Sequence, residues 1–288
     1  VRLIREGKDC NGLANTCICL VGDSGTGKSF VLHELCRASS LPFTSSAATD
    51  YSVTGFVGLN CEDALRGLWE VAGNDRMLAG ICHVDEWDKL RTINDCSSYH
   101  ISSTGVVHSF LRLVEGCEVV LNAKRSALSM APPVSMSTVG MCWAFSGTFT
   151  GLREEMEKLD RGRSRIGFGT ASARPGGGRA MLQDAMVSWG MPREWVNRLS
   201  LVEFMPRPDL DMLTRIAAEV ITAHNRLLEE DGRSFTLTGE ALGALAAYAL
   251  ESRADSRAAK MIAGKCSEIA LCSPKPHMVF DVVDIRGI

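Results

Sequence analysis

The run Gly22-Asp-Ser-Gly-Thr-Gly-Lys-Ser29 constrains the fold of this chain more than any other feature of its sequence. It fits the P-loop pattern, in which backbone N–H groups wrap a phosphate chain and glycines permit the required backbone angles. An apolar strand, Thr16 to Val21, is predicted before the loop, and a helix beginning at Lys28 is predicted after it. The sequence therefore predicts an α/β fold in which the positive end of a helix attracts an anion.

The residue types in this loop predict roles toward a nucleotide. Lys28 would reach the outer phosphates, and the hydroxyl of Ser29 would bind Mg²⁺. The remaining positions would surround the phosphates, and these predicted nucleotide-binding residues are Gly22, Asp23, Ser24, Gly25, Thr26 and Gly27. The alternative is a glycine-rich turn that matches by chance, which composition allows in about one chain of this length in a hundred.

A second motif, Ile81-Cys-His-Val-Asp85-Glu86, is an apolar strand that ends in two carboxylates. Ligands of parallel sheets bind at this edge of the strands. We predict that Asp85 holds Mg²⁺ through water and that Glu86 polarises the water that attacks the γ-phosphate, which is the arrangement of a hydrolase. His83 lies inside the same strand and is predicted to be a hydrogen-bonded core histidine rather than a catalytic group.

Strand and helix patterns alternate through residues 1–206, so we expect a parallel sheet flanked by helices in a large first domain. Within it, residues 161–180 hold five Arg, six Gly and no acidic residue, and they are predicted to form a flexible insertion. Residues 207–288 are mainly helical in pattern and are predicted to form a small second domain. Its predicted helices cover Leu210 to Leu228, Gly239 to Glu251 and Ser256 to Leu271.

Composition excludes several classes of protein. Of 288 residues, 45% are apolar and 23% are charged, which is typical of a globular chain. The net charge of −3 supplies no global field for a polyanion, so nucleic-acid binding is not expected without a local basic patch. The eleven cysteines are scattered singly and predict reduced, mostly buried thiols in the cytoplasm or another reducing compartment such as an organelle matrix. No apolar run reaches the ~18 residues of a membrane span, so no membrane association is predicted.

Five segments of the sequence occur in the order seen in ClpX-type AAA+ protein unfoldases. They are Gly22 to Ser29, Asp85-Glu-Trp-Asp-Lys89, Phe145-Ser-Gly-Thr-Phe-Thr-Gly-Leu152, Ile166-Gly-Phe-Gly169 and Pro192-Arg-Glu-Trp-Val-Asn-Arg-Leu199. The sequence resembles this family over nearly its whole length, whereas the related HslU-type unfoldases lack the Ile-Gly-Phe loop. The resemblance implies a P-loop AAA+ domain followed by a helical lid domain, and an ATPase that forms a homo-oligomeric ring, a hexamer, and threads protein substrates through it.

The resemblance also implies roles for residues outside the P-loop. Arg198 matches the arginine finger, which reaches the γ-phosphate bound by the neighbouring subunit and stabilises its developing charge. Ser146 fits the first sensor of nucleotide state, with Thr148 as the alternative. Arg257 fits the lid arginine of the second sensor, with Arg253 as the alternative, although the family's Gly-Ala-Arg reads Asp-Ser-Arg here.

Two further segments resemble loops that contact partners in this family. Gly55-Phe56-Val57-Gly58 is similar to the pore loop, in which Phe56 and Val57 would grip an unfolded substrate by apolar contact. The alternative is a loop tip packed into the core. Ile166, Gly167 and Phe168 match the loop that docks on a ClpP-like peptidase, where exposed apolar residues act as a plug. The alternatives are a vestigial loop, or an arginine-rich contact with an acidic partner or nucleic acid.

The sequence leaves two alternative functions open. One is a nucleic-acid remodelling AAA+ motor, in which the basic insertion and Lys124-Arg125 contact phosphates. The other is a regulatory, non-proteolytic ATPase that binds a partner without threading it. The family's second pore loop has no clear counterpart, and the residues before Asn15 do not match the segment that contacts adenine. Hydrolysis of ATP in particular is therefore implied by the resemblance.

Overall fold

The computed structural model describes residues 15–52, 59–72, 80–91, 98–121, 134–164, 177–252 and 256–287 of the chain. The chain divides into two compact units, the first formed by the residues up to Val21 together with Lys28–Phe204. The second unit groups Gly22–Gly27 with Met205–Ile288. The division lies two residues before the predicted boundary after residue 206. The sequence predicts Gly22–Gly27 as part of the first domain, whereas here they group with the second unit, in which Gly22 packs closely on Met205.

Seven strands occur in the described part of the first unit. They are β1 (Thr16–Val21), β2 (Phe43–Ala47), β3 (Ile81–Asp85), β4 (Glu118–Leu121), β5 (Val134–Ser137), β6 (Cys142–Gly147) and β7 (Leu201–Phe204). Five of them form one parallel sheet in the order β2–β3–β6–β1–β7, and β4 pairs with β5 in a separate antiparallel ribbon. The predicted parallel sheet is confirmed, and β6 lies between β1 and β3.

Helices follow the strands of this sheet as the alternating pattern predicts. In the described part of the first unit they are α1 (Lys28–Ser39), α2 (Asp63–Ala72), α3 (Ser98–Glu115), α4 (Leu152–Ser164), α5 (Gly177–Trp189) and α6 (Arg193–Arg198). In α2 the buried residues Ala64, Leu65 and Leu68 fall at i, i+1 and i+4, which places them on one helical face. A 3₁₀ turn, Trp87–Leu90, follows β3 directly.

An aromatic cluster anchors this turn in the core. Trp87, Phe110, Phe145 and Trp195 are fully buried, and the rings of Trp87 and Trp195 stack with centroids 5.4 Å apart. Trp87 also lies 4.4 Å from the ring of Phe145, which belongs to β6. Aromatic pairs at these separations add stability beyond their buried area. The cluster therefore anchors the backbone directly after the carboxylates that end β3.

The predicted flexible insertion, residues 161–180, differs from the structure at both ends. Helix α4 continues to Ser164, and α5 begins at Gly177. Arg161 forms an ion pair of 3.2 Å with Glu157, one turn earlier in α4, and such i,i+4 pairs support a helix. Arg161 thus supports the last turn of α4, while residues 165–176 lie outside the described part of the chain.

The second unit contains more than helices. Its described elements are α7 (Leu210–Leu228), β8 (Ser234–Leu237), α8 (Gly239–Glu251), α9 (Ser256–Cys272), β9 (His277–Phe280) and α10 (Val282–Gly287). The parallel pairing of β8 with β9 is not anticipated by the sequence, and it buries Phe235 against Phe280. Asp209 and Thr238 cap α7 and α8, each accepting a backbone N–H in the first turn, which explains where these helices begin.

The cysteines within the described residues are free, and most of them are buried. Burial raises the pKa of both Cys17 and Cys61 to about 12, so these thiols remain protonated and unreactive near neutral pH. Cys272 is exposed at the end of α9. Among the described residues, no helix is both long enough and apolar enough to cross a membrane.

Candidate functional site

The loop Gly22–Gly27 joins β1 to α1, and its backbone explains why glycines occupy it. Gly25 has φ +86° and Gly27 has φ +84°, in the left-handed region that favours glycine. A Cβ added at Gly22 would lie 2.9 Å from the Cβ of Met205. The hydroxyl of Thr26 donates to the carbonyl of Asp23 at 2.9 Å and closes the turn. The predicted phosphate-binding loop therefore has the backbone that its sequence requires.

Lys28 and Ser29 begin α1, and both lie within the first unit. Lys28 is mostly buried, with 8% of its surface exposed. The hydroxyl of Ser29 donates a hydrogen bond of 3.1 Å to Oδ2 of Asp85, 56 residues later in the chain. The structure thus brings together the two residues that the sequence predicts as Mg²⁺ ligands.

Asp85 ends β3 and accepts three hydrogen bonds. Besides Ser29, the hydroxyl of Ser146 donates to Oδ1, and the backbone N–H of Glu86 donates to the same oxygen at 2.8 Å. Burial by itself raises the pKa of this carboxyl, but the hydrogen bonds from Ser146, Glu86 and Ser29, together with the nearby His83, lower the pKa below its ordinary value. Asp85 is therefore ionised near neutral pH and carries the charge that a cation site needs.

These residues fit a magnesium ion. Mg²⁺ prefers oxygen ligands and usually takes one or two from the protein, the others coming from water and substrate phosphates. A hydroxyl and an ionised carboxylate lie side by side at Ser29 and Asp85. Within the described residues there is no cluster of three or more His, Cys, Asp or Glu that could hold a metal alone. The donor set thus suits an ion that the nucleotide brings with it.

Glu86 has an unusual backbone conformation. Its φ of +56° and ψ of +30° lie in the left-handed region, which few residues other than glycine adopt, and its side chain is exposed. The hydrogen bond from its backbone N–H to Asp85 and the 3₁₀ turn that starts at Trp87 hold Glu86 in this conformation. Such conformations are held by the surrounding structure and cluster at functional sites. Glu86 is thus exposed to solvent and directly follows Asp85 in the chain.

Ser146 lies on β6, at the carboxyl end of the sheet, and is fully buried. Its hydroxyl is within 2.8 Å of Nε2 of His83, whose Nδ1 lies 2.8 Å from the hydroxyl of Ser45. Burial lowers the pKa of His83, and the nearby charge of Lys28 lowers it further against the opposing effect of Asp85. His83 is therefore neutral and hydrogen-bonded on both ring nitrogens, as a core histidine is expected to be.

Thr148, the alternative sensor residue, faces a different carboxylate. Its hydroxyl donates to Oδ2 of Asp88 at 2.8 Å. Gly147 makes this contact possible, because a Cβ at that position would lie 2.9 Å from Cγ of Asp88. Ser146 thus donates its hydrogen bond to Asp85, and Thr148 donates its own to Asp88.

Arg198 ends α6 and forms an ion pair with Glu115, the last residue of α3. Both side chains are about half exposed, at 51% and 48%. Exposed ion pairs of this kind contribute little to stability, so the guanidinium can exchange partners at small cost. Arg198 is accessible at the surface of the first unit.

The structure describes only one of the remaining predicted site residues. Arg257 is exposed in the first turn of α9, in the second unit. Its alternative, Arg253, lies outside the described residues. So do the predicted pore-loop residues and the predicted peptidase-docking residues, which are Phe56, Val57, Ile166, Gly167 and Phe168.

Sequence reasoning missed two partners in these contacts. Within the second unit, Arg207 forms an ion pair with Asp23 of the glycine-rich loop. The two residues are 184 positions apart, and no motif connects them. Asp88 belongs to the Asp-Glu-x-Asp-Lys motif, but the motif does not predict its contact with Thr148.

Comparisons with known proteins find similarity to AAA ATPases and to ClpX subunits. Residues 18–131 match the model of the ATPase family associated with various cellular activities, AAA. The chain is 30% identical over 254 residues to the ATP-dependent Clp protease ATP-binding subunit ClpX 2 of Wolinella succinogenes, covering 85% of this chain and 62% of that protein. It is 26% identical to the ATP-binding subunits ClpX of Azotobacter vinelandii and Borrelia duttonii, again over 85% of this chain and over 59% and 60% of those proteins. The chain thus spans about three fifths of the length of these curated relatives.

Proposed function

We propose that this chain is a ClpX-type AAA+ ATPase that hydrolyses ATP to unfold and translocate protein substrates, because residues 18–131 match the AAA family and 254 residues are 30% identical to a ClpX subunit. The proposal of ATP hydrolysis rests on the position of Asp85, which accepts one hydrogen bond from the hydroxyl of Ser29 and another from that of Ser146. A carboxylate shared between the residue after the P-loop lysine and a polar residue on the adjacent strand is suited to bind the metal of a nucleoside triphosphate.

In the proposed reaction the residues of this chain have separate roles. The N–H groups of Gly22–Gly27 bind the phosphates, and Lys28 contacts the outer ones. Ser29 and Asp85 would hold Mg²⁺, which would supply positive charge to neutralise the outer phosphates. Glu86 orients the attacking water and accepts its proton, while Ser146 is proposed as the first sensor of nucleotide state, acting through its hydrogen bond to Asp85.

We further propose that the active form is a homo-oligomeric ring, a hexamer. Arg198 would contribute to the pocket of a neighbouring subunit, and its exposure and its weak pairing with Glu115 support that role. A trans-acting group requires a head-to-tail interface, and such an interface closes into a ring when the rotation permits. Arg257 is proposed as the second nucleotide sensor, since it is exposed at the start of α9.

The substrate and partner proposals rest on resemblance and on the relatives' names. Phe56 and Val57 are proposed to grip unfolded protein, and Ile166, Gly167 and Phe168 to dock on a ClpP-like peptidase. The relatives are named as ATP-binding subunits of a Clp protease, which supports delivery of the substrate to a peptidase. The free, mostly buried cysteines among the described residues support activity in a reducing compartment, which we propose is the cytoplasm or an organelle matrix.

The test is ATP turnover by the purified chain, measured alone, with an unstructured polypeptide and with single-stranded DNA. We expect stimulation by the polypeptide. Stimulation by DNA alone would instead favour a nucleic-acid remodelling motor and would overturn protein translocation. Phe56→Ala is expected to abolish unfolding of a folded reporter protein while hydrolysis persists, whereas a regulatory ATPase would keep its partner remodelling in this variant.

A further inference from the structure

A chain of hydrogen bonds crosses three neighbouring strands and ends on Asp85. It begins at the hydroxyl of Ser45 on β2, passes through both ring nitrogens of His83 on β3, and reaches the hydroxyl of Ser146 on β6. Ser146 then contacts Oδ1 of Asp85. His83 and Ser146 are both 0% exposed, so water does not compete for the bond between them, whereas Ser45 at the start of the hydrogen-bond chain is exposed. The geometry allows the direction of each bond to be assigned.

The assignment starts from Asp85. An ionised carboxylate only accepts hydrogen bonds, so the single hydroxyl proton of Ser146 must point to Asp85. Nε2 of His83 must then be the N–H donor to the oxygen of Ser146, 2.8 Å away. In a neutral imidazole the other nitrogen is unprotonated, so Nδ1 accepts from the hydroxyl of Ser45 at 2.8 Å. Every donor in the chain points toward Asp85.

The alternative tautomer would break this order. With the proton on Nδ1, Nε2 would be an acceptor facing Ser146 and would compete with Asp85 for its only proton. Asp85 would lose one of its hydrogen bonds, or a buried nitrogen would be left unpaired. The state of His83 therefore decides where the hydroxyl of Ser146 points.

We propose that His83 is a positioning residue for ATP hydrolysis, because its Nε2–H holds the hydroxyl of Ser146 with the proton directed at Asp85. The inference rests on the proposed hydrolytic function and deepens it. Because His83 is fully buried, it acts through Ser146 and Asp85. A histidine that only filled the core could be replaced by any side chain that fits the same space.

Two amide substitutions separate the functions of the two ring nitrogens. In His83→Gln the side-chain amide can reach the position of Nε2 and donate to Ser146. In His83→Asn the shorter amide can reach only the position of Nδ1, next to Ser45. We expect the Asn variant to lower kcat by about tenfold or more, since lost support of a metal ligand typically costs that much, and to change KM for ATP much less. The Gln variant should recover most of the lost kcat.

A double-mutant comparison tests whether the effect passes through Ser146. If it does, His83→Asn should lower kcat in the wild-type background but cause no further loss when Ser146→Ala is already present. Equal kcat in the Asn and wild-type proteins would overturn the proposal. Equal loss in the Asn and Gln variants would also overturn it, since the donor at Nε2 would then be irrelevant. Thermal melting of each variant shows whether a loss of kcat follows from unfolding.

The tautomer can be measured without any activity. Long-range ¹H–¹⁵N NMR correlations of the wild-type protein are expected to show His83 with the proton on Nε2 and a bare Nδ1. The Nδ1–H tautomer would overturn the proposal even if the enzyme were active. A wild-type protein that shows the expected tautomer but no ATP turnover would instead overturn the proposed function, so the two failures are distinguishable.

Discussion

Thr148 donates a hydrogen bond of 2.8 Å to the buried carboxylate of Asp88 and thereby joins the turn after β6 to the 3₁₀ turn after β3. Ser146, two residues earlier, instead contacts Asp85. The two hydroxyls at the end of β6 thus bind different carboxylates. Asp88 is buried in the turn after β3, whereas Asp85 belongs to the proposed metal site. This difference separates the two candidates for the first sensor.

Replacement of Thr148 by Val should weaken the fold more than the chemistry. The variant leaves a buried oxygen of Asp88 without its donor, which should lower the free energy of unfolding by about 1–3 kcal/mol. Turnover per folded molecule should stay close to wild type. Ser146→Ala is the matched control and should lower kcat strongly. Urea denaturation and ATPase assays measure both, and a Thr148→Val protein with wild-type stability but no turnover would make Thr148 the sensor.

The left-handed backbone of Glu86 predicts opposite effects on stability and activity. Glu86→Gly should relieve the strain at φ +56° and raise the free energy of unfolding by about 1 kcal/mol, reduced by the greater flexibility of glycine in the unfolded chain. Hydrolysis should be lost with the carboxylate. Glu86→Gln, which keeps the size of the side chain, should bind ATP and assemble but hydrolyse it poorly. Normal turnover in either variant would remove Glu86 from its proposed role.

Mixing two inactive variants tests whether Arg198 acts in a neighbouring subunit. Lys28→Ala and Arg198→Ala should each abolish hydrolysis, because each removes one component of every pocket. In an equal mixture that assembles at random, about one quarter of the pockets would pair an intact Lys28 with an intact Arg198 from the adjacent subunit. Turnover by the mixture should therefore exceed that of either variant. If subunits exchange and no activity returns, Arg198 does not act in trans.

The ion pair between Asp23 and Arg207 predicts an effect on nucleotide affinity. Asp23 places a negative charge within the loop that is proposed to bind phosphates, and Arg207 offsets that charge. Arg207→Ala should raise KM for ATP several-fold, because it removes the positive charge that Arg207 places next to Asp23. Adding Asp23→Asn should restore KM, and the single Asp23→Asn variant serves as the control. A KM that does not change in Arg207→Ala would show that this pair does not affect nucleotide binding.

The sequence predicted those parts of the structure that depend on neighbouring residues. The strand at Thr16–Val21 and the helices at Leu210–Leu228 and Gly239–Glu251 match their observed bounds, because apolar periodicity and capping residues such as Asp209 act locally. The same local reasoning failed at Arg161 to Ser164, where composition suggested a loop. There, the pairing of Arg161 with Glu157 supports one more turn of helix.

The glycine-rich loop, the two carboxylates at the end of a strand and the parallel α/β class could be predicted from the sequence, since each is encoded in a short, continuous pattern. Which hydroxyl contacts which carboxylate depends on the tertiary structure. The contact between Ser146 and Asp85 spans 61 residues and exists because β6 pairs with β3, and the partners of His83, Arg198 and Arg207 depend on similar long-range packing. Such contacts follow from how the strands and helices pack, and no local pattern in the chain specifies them.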